Sequence, residues 1–359
     1  MTAAGKFRYI FAIAIMALVT IMLVWSPAEA GTKKKTRKSK IRQVLFLDTG
    51  LKLTYDSNII RYSDADLDIY DFNLDPGKFA IKSKDDWIIT PRLETRLKGK
   101  LLGGRTAWIG LDYDYFHYAR NDVRRFQKLG AFGRHYFMRG GYLEIDYQYI
   151  PDYYYRNEPY QNSFVEARFS KHFVKFETGF DLKPSLKADV SYIYQRKIFN
   201  REVSERDLKI NAISLDGIWR ASPKFKFWVY YDIEKAGAAG ADYADPNIID
   251  VSYDAWDITG GVRFYTGVLG QLRPELVATL QFRQIKFQTL KYGYDDYRFG
   301  RKDDNFRFVV GTSLLLPLAT RFDIDYNYQQ KNASLPDPAL EKSLNYKAHS
   351  ISFGLRRSF

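Results

Sequence analysis

The sequence predicts an all-β fold. It reads as a single antiparallel transmembrane β-barrel of about fourteen strands, with twelve to sixteen compatible. Three observations point to it. Apolar residues recur with a period of two over segments of about ten residues or more, longer than the ~5–6 residues usual for soluble strands. Short connections alternate with long polar ones. The third is a surplus of rings: 17% of the 359 residues are aromatic, with 28 Tyr and 26 Phe, in a chain that is 27% charged and has negative mean hydropathy. Rings in such number suit a membrane interface, where one end of the side chain is apolar and the other wet.

The N-terminal segment comes first. Lys6 and Arg8 precede the apolar run Tyr9 to Trp25, and Ala28-Glu29-Ala30 follows Pro27. A basic start, an apolar stretch and an A-x-A site predict a secretory signal peptide over 1–30, with Ala28 and Ala30 at the cleavage site. An uncleaved anchor is the alternative. Residues 31–42 form a basic arm with Lys33, Lys34, Lys35, Arg37, Lys38, Lys40 and Arg42. The arm is expected to be flexible and periplasmic. Of the formal net charge of +13, the signal segment carries one, the arm seven and the remaining body five. The basic excess therefore sits in one short arm of an exported chain, and no nucleic acid partner is expected. An anionic polymer or a periplasmic partner suits the arm better. The chain has no cysteine, which excludes disulfides, thiolate metal sites and cysteine nucleophiles.

The barrel is expected over 43–359. VLFLDTGLKLTYD alternates Leu45, Leu47, Leu51, Leu53 and Tyr55 with Asp48, Gly50, Lys52 and Thr54. LKADVSYIY, FKFWVYYDIE and RFDIDYNYQ repeat the pattern. The expected strands span 43–56, 87–102, 105–119, 125–139, 142–155, 168–182, 186–197, 207–221, 225–235, 253–266, 274–287, 305–316, 321–331 and 346–359. FQKLGAFGRHYFMR alternates least cleanly. Tight connections fall at Gly103-Gly104, Gly140-Gly141, Lys183 to Ser185, Ser222-Pro223 and Pro317 to Thr320. Long polar ones are expected at 57–86, at YYYRNEPYQNS, and in three later segments. Short turns on one side and long loops on the other are the pattern of a membrane barrel, whose closed sheet pairs every backbone group.

The closing segment SISFGLRRSF resembles the β-signal read by the assembly machinery of Gram-negative outer-membrane barrels. Ser352, Gly354 and Phe359 match that pattern, while Arg357 stands where an apolar residue is usual. With the signal peptide and the alternation, the chain resembles a porin-like outer-membrane protein. The resemblance implies a bacterial outer-membrane location, contact with outer-membrane lipid and lipopolysaccharide, and an encounter with the barrel assembly machinery. LKLTYDSNIIRYS also looks like the opening of barrel porins associated with surface or exopolysaccharide systems; an ordinary Asp-Ser-Asn turn is the plainer explanation.

Alternation places both signs of charge on the inner face. The expected lumen-lining residues are Arg92, Glu94, Arg96, Glu144, Asp146, Lys175, Glu177, Trp228, Asp257, Arg263, Arg283, Asp323, Asp325 and Arg356. Such charges shape selectivity in a pore, or pair across it and plug it. Trp108, Phe116 and Tyr230 join Trp228 on that face, and rings beside polar groups suit sugars. A porin-like channel is the leading expectation, with transport of saccharide or export of surface polysaccharide as its narrower form. A general diffusion porin and a non-transporting scaffold are the alternatives. Enzymatic activity is not expected: there is no G-x-S-x-G, and His117, His135, His172 and His349 are the only histidines. No cofactor or metal is expected; the acidic loop Asp64, Asp66, Asp68 and Asp71 lacks the glycine and terminal glutamate of an EF-hand.

Overall fold

The computed structural model describes residues 44–359 apart from 161–162, 243–247, 268–272 and 291–294. The signal peptide with Ala28 and Ala30, and the basic arm, lie outside the described residues. Fourteen strands follow in chain order: β1 (Val44–Asp56), β2 (Asp86–Leu101), β3 (Arg105–Tyr118), β4 (Phe126–Met138), β5 (Gly141–Tyr160), β6 (Ser163–Lys183), β7 (Leu186–Phe199), β8 (Leu208–Arg220), β9 (Phe225–Ala238), β10 (Tyr253–Tyr265), β11 (Arg273–Phe287), β12 (Lys302–Leu316), β13 (Thr320–Ser334) and β14 (Tyr346–Ser358). Each pairs antiparallel with its sequence neighbours, and β1 pairs with β14 to close the barrel. Leu51 faces Leu355 and Tyr55 faces Ile351 across this seam. Closure removes both sheet edges, so every strand backbone has two partners.

The chain alternates, so the barrel is apolar outside and polar within. Leu45, Ile213, Ile233, Leu280 and Leu355 are among the exposed apolar residues. Asp48, Asp114, Asp189 and Asp257 are buried. An apolar outer belt on a closed sheet is stable only where lipid covers it. Rings mark its two borders. Near the long loops stand Tyr147, Tyr149, Tyr326 and Tyr328, beside His172 and His349. Near the short turns Trp219 stacks on Phe227, and Phe225 packs on Phe264.

One feature departs from the expectation. YYYRNEPYQNS is not a long loop: β5 and β6 run on as one hairpin of 20- and 21-residue strands. Register shifts between Ile150 and Tyr153, and between Tyr154 and Arg156, bend β5 there. Tyr153, Phe169 and Phe199 pack ring on ring beside the bend and hold it. Polar composition concealed a strand whose outer part meets protein on its inner side. The irregular segment FQKLGAFGRHYFM does form β4. A β-carbon at Gly130 would strike the Asp112 carboxylate 2.0 Å away, so glycine leaves room for a neighbouring side chain to lie across the wall.

The first long connection is also structured. It carries helix α1 (Asp64–Asp71), capped by the Ser63 hydroxyl, which accepts from the Asp66 amide at 3.0 Å. Two of its four acidic residues are engaged: Lys78 meets Asp66 and Lys84 meets Asp71.

Candidate functional site

The inner wall has two halves. On the short-turn half, charges are paired along strands and between adjacent strands. Arg96 bonds Asp48 and lies 3.2 Å from Glu94. Nearer the long loops, Arg92 bridges Glu94 at 3.1 Å and Asp114 at 3.7 Å, and Lys128 reaches Asp114 at 2.7 Å. Arg134 bonds Glu144, and Lys175 bonds Glu177. The Tyr142 hydroxyl lies within hydrogen-bond reach of Glu177 and, at 2.9 Å, of Asp189, and Lys187 donates to both the Tyr142 oxygen and Asp189. A β-carbon at Gly179 would strike the Tyr142 ring, so the glycine is what lets that ring lie flat. Arg263 and Asp323 are joined through Glu275 and Arg321. Trp228 lies over Gly261. Glu94, Arg96, Trp108, Glu144 and Asp146 line a cavity of about 400 Å³ at this end.

Every expected lining residue therefore projects from the face opposite the exposed apolar rows. The wall brings most of them into networks, and Arg283 pairs with Glu234 at 3.0 Å. Asp257 accepts from Thr259 and Gln281. Asp325 and Arg356 form no ion pair among the described residues. Of the segment resembling an assembly signal, Ser352 is buried and Phe359 is exposed. Arg357 sits at the strand end with its guanidinium 4.8 Å from the Phe359 ring centre. The four histidines are spread over the outward face; His117 and His135 stand at opposite ends of β3 and β4.

The long-loop half is different, and sequence reasoning did not foresee it. The first loop turns back into the mouth. Asp56 takes both arms of Arg61 at 2.8 Å, and Arg61 also donates to Gln329 of β13 at 2.8 Å. Arg61 holds a positive φ of 64°, a conformation disfavoured for a residue with a β-carbon. The buried Asn58 side chain clasps the Tyr62 backbone at 2.8 and 3.0 Å. The Tyr55-Asp56-Ser57-Asn58 segment is thus the hinge that sends the loop inward. Ile59, Tyr62 and Ile81 then pack on Ile88, Tyr118 and Tyr154 of the wall, with Phe79, Phe116 and Phe126 around them. Burial of each such side chain stabilises the loop by roughly 1.5–3 kcal/mol.

Arg124 fastens this lid. It is buried and donates to the carbonyls of Ile59 and Tyr154 and to the Tyr153 hydroxyl, at 2.6–3.1 Å. Its guanidinium lies 4.9 Å from the Tyr153 ring centre. At the other end of the loop the Ser83 hydroxyl, with the Tyr55 hydroxyl also donating, holds the Asp85 carboxyl below the usual carboxylate range. Burial pushes the Tyr62 phenol upward.

Cations crowd the same half. Lys171 and Lys197 occupy directly opposed positions on β6 and β7, and neither has an ion-pair partner among the described residues. Lys171 lies 5.7 Å from the Phe173 ring centre and Lys197 5.6 Å from that of Phe169. Arg307 bonds the neutral Asn327, at 2.7 Å. Arg156 and Arg206 share the buried Glu158, and burial holds Arg206 below its usual range. Lys331 of β13 lies 3.8 Å from Asp303 of β12.

No protein-family model matches the chain, and no curated protein matches it. Solved structures do. A bacterial polysaccharide outer membrane secretin is 9% identical, with 87% of this chain and 98% of that one covered and a TM-score of 0.43. An anion-selective porin from Comamonas acidovorans is 12% identical, over 89% and 100%, with a TM-score of 0.44. The outer membrane channel DcaP of Acinetobacter baumannii is 11% identical, over 92% and 100%, with a TM-score of 0.46. Likeness of this degree carries no inference about what the chain binds. The closed fourteen-stranded sheet, its lipid-facing belt and its charged inner wall are those of a porin-like protein of the bacterial outer membrane.

Proposed function

We propose that the barrel is a narrow channel that favours anionic solutes, with acidic saccharide as its substrate class. One observation carries this reading: Lys171 and Lys197 face each other on the inner wall without a carboxylate between them. Like charges directly opposed destabilise a sheet. A wall that keeps them is suited to a passing anion, as rings of basic side chains suit anion pores. Arg307, bonded only to the neutral Asn327, extends the same field on the far side of the mouth. The rings of Phe169, Phe173 and Phe199 lie beside the lysines and offer the flat apolar faces on which sugars rest. Below, the paired charges of the short-turn half give a wet wall of balanced sign, suited to polar solutes. The C-terminal strand, with Ser352, Gly354 and Phe359, is proposed as the segment offered to the assembly machinery.

The test is conductance of the purified full chain in planar bilayers. The expected result is a small, anion-selective current that a uronate oligosaccharide blocks at lower concentration than a neutral one. Cation selectivity, or equal block by both sugars, would refute the substrate class. Absence of current, also after the first loop is removed, would refute the channel and leave the scaffold alternative.

A further inference from the structure

The balance of charge on the short-turn half fails in one row at its edge. Arg220 closes β8, Lys226 is the second residue of β9, and Arg263 lies near the end of β10. All three hold inner-face positions, since Trp219, Phe225 and Phe227 beside them are exposed on the outer face. Arg220 is directly opposite Lys226, and Lys226 is directly opposite Arg263. No carboxylate stands opposite any of the three. The other neighbour of Arg263 is Val277, and the Arg220 amide bonds the Ser185 carbonyl. Arg220 and Lys226 have no ion-pair partner among the described residues. Arg263 reaches Glu275 at 3.6 Å and shares it with Arg321, at 3.9 Å. Arg321 and Arg356 are also directly opposed, but there Asp323 lies 2.7 Å from Arg321. Like charges opposed across a sheet repel, so the row destabilises the wall that carries it.

Trp228 stands beside the row, two residues along β9 from Lys226, or about 7 Å. It is directly opposite Gly261 of β10. A β-carbon at Gly261 would lie 2.2 Å from the indole, so the glycine lets the ring lie flat on the wall. One ring face is against backbone, which leaves the other toward the lumen. Trp108 differs: Phe46 packs on it, and Lys98 Nζ lies 5.1 Å from its ring centre. Among the described residues no ring packs on Trp228, and its indole N–H has no hydrogen-bond partner.

We propose that Arg220, Lys226 and Arg263, with Trp228, form a second binding station at the periplasmic end of the passage, which holds one acidic unit of a linear acidic saccharide. This rests on the substrate class proposed above and narrows it to a chain. The free ring face takes the apolar side of the sugar, and the indole N–H donates to a hydroxyl. The three bases, spread over ~10 Å on adjacent strands, hold the carboxylate. In register, Lys197 of the upper pair is level with Leu208 of β8 and so with Ala238 of β9, twelve residues from Lys226. That is about 40 Å along the strand. No single sugar bridges such a span, and a solute held at both stations gains from being linked. The short turns face the periplasm, so a chain meets this station on that side.

The purified full chain in a non-ionic detergent is titrated with a uronate disaccharide while tryptophan fluorescence is followed. Comparison with Trp228→Phe isolates the Trp228 signal, which is expected to quench saturably. R220Q/K226Q should raise the half-saturating concentration about tenfold, two exposed ion pairs to the ligand being lost. Gly261→Ala should raise it severalfold, because the methyl takes the place of the ring. Lys302→Gln, on the outward face at the long-loop end of β12, should behave as wild type. A long uronate chain should bind at least about tenfold more tightly than the disaccharide. Heat-dependent electrophoretic migration reports that each variant is a folded barrel. Should R220Q/K226Q not fold, Lys226→Gln alone decides with the same readout. No quenching at Trp228, or unchanged half-saturation in the charge variants, would overturn the station. Equal affinity for a neutral disaccharide, or displacement by inorganic phosphate at the concentration of the disaccharide, would overturn the acidic sugar. Equal affinity for the long chain and the disaccharide would overturn the chain. Fluorescence needs no current. Quenching without conductance keeps the station and refutes the channel; anion-selective conductance without quenching does the reverse.

Discussion

At the short-turn end of the inner wall, Lys175 meets Glu177, Lys187 meets Asp189 and Arg134 meets Glu144. At the long-loop end, Lys171 meets Lys197. The strands are the same, and so is the alternation that turns these residues inward. The difference lies in what else occupies the space. Below, like charges also stand opposite one another, as Glu144 does Glu177, but Arg134 and Lys175 lie among them and compensate the repulsion. Above, the first loop and the bent hairpin fill the mouth with apolar side chains and carbonyls, and cations accumulate around them. In one half of the wall these charges are compensated by the wall itself; in the other, Lys171 and Lys197 have no ion-pair partner among the described residues.

The largest test of this division removes the lid. Replacing residues 60–82 by a short glycine-serine linker should raise single-channel conductance severalfold, since the loop is what narrows the mouth. Unchanged conductance would place the constriction in the short-turn half instead. Arg124→Ala is next. It leaves the carbonyls of Ile59 and Tyr154 and the Tyr153 hydroxyl without their donor, which should cost about 3 kcal/mol. Hydrogen exchange should show the 57–85 segment opening before the strands.

A matched pair of neutralisations then compares the halves directly. Lys175→Gln leaves the buried Glu177 with the Tyr142 hydroxyl but no counter-charge and should destabilise the barrel by about 2 kcal/mol in urea unfolding. Lys197→Gln relieves a like-charge contact and should be neutral or stabilising by a few tenths of a kcal/mol, while lowering the anion preference of the current. Equal losses of stability would abolish the distinction. A smaller effect lies in a turn of the short-turn half. Leu318 and Ala319 both hold positive φ, 60° and 52°, where Asn-Gly would be relaxed. L318N/A319G should therefore raise unfolding stability by ~1 kcal/mol. The smallest concerns pH. Asp85 titrates lower in the folded chain than when unfolded, so its bonds to Ser83 and Tyr55 stabilise the loop above about pH 4 and are lost as pH falls further. Conductance should rise reversibly on acidification below that point, and Asp85→Asn should remove the change.

Much of the architecture was legible because a period of two is a local property. Most strands from Val44–Asp56 to Tyr346–Ser358 announce their faces by their own residues; β4 and the outer part of β5 do not. The faces of a strand can be assigned without reference to its neighbours: Ile213 and Leu215 point outward because Ser214 and Asp216 point inward. The identity of the charged inner residues followed from the same count. Their pairing did not. Whether Arg134 finds Glu144 depends on the register of β4 against β5, and register is fixed by turns and bulges rather than by alternation.

The mouth was the least legible part. Nothing in SNIIRYS or in RNEP says that Tyr62 meets Tyr154's side of the wall, or that Arg124 serves a carbonyl 65 residues away. Alternation by itself determined the fold class, the two faces and the membrane as surroundings, because lipid and water act on every side chain of a strand alike. Only the tertiary structure decided where the loop rests, which cations keep partners and which are left free. Those outcomes come from contacts between segments far apart in the chain, whose energies no single segment carries.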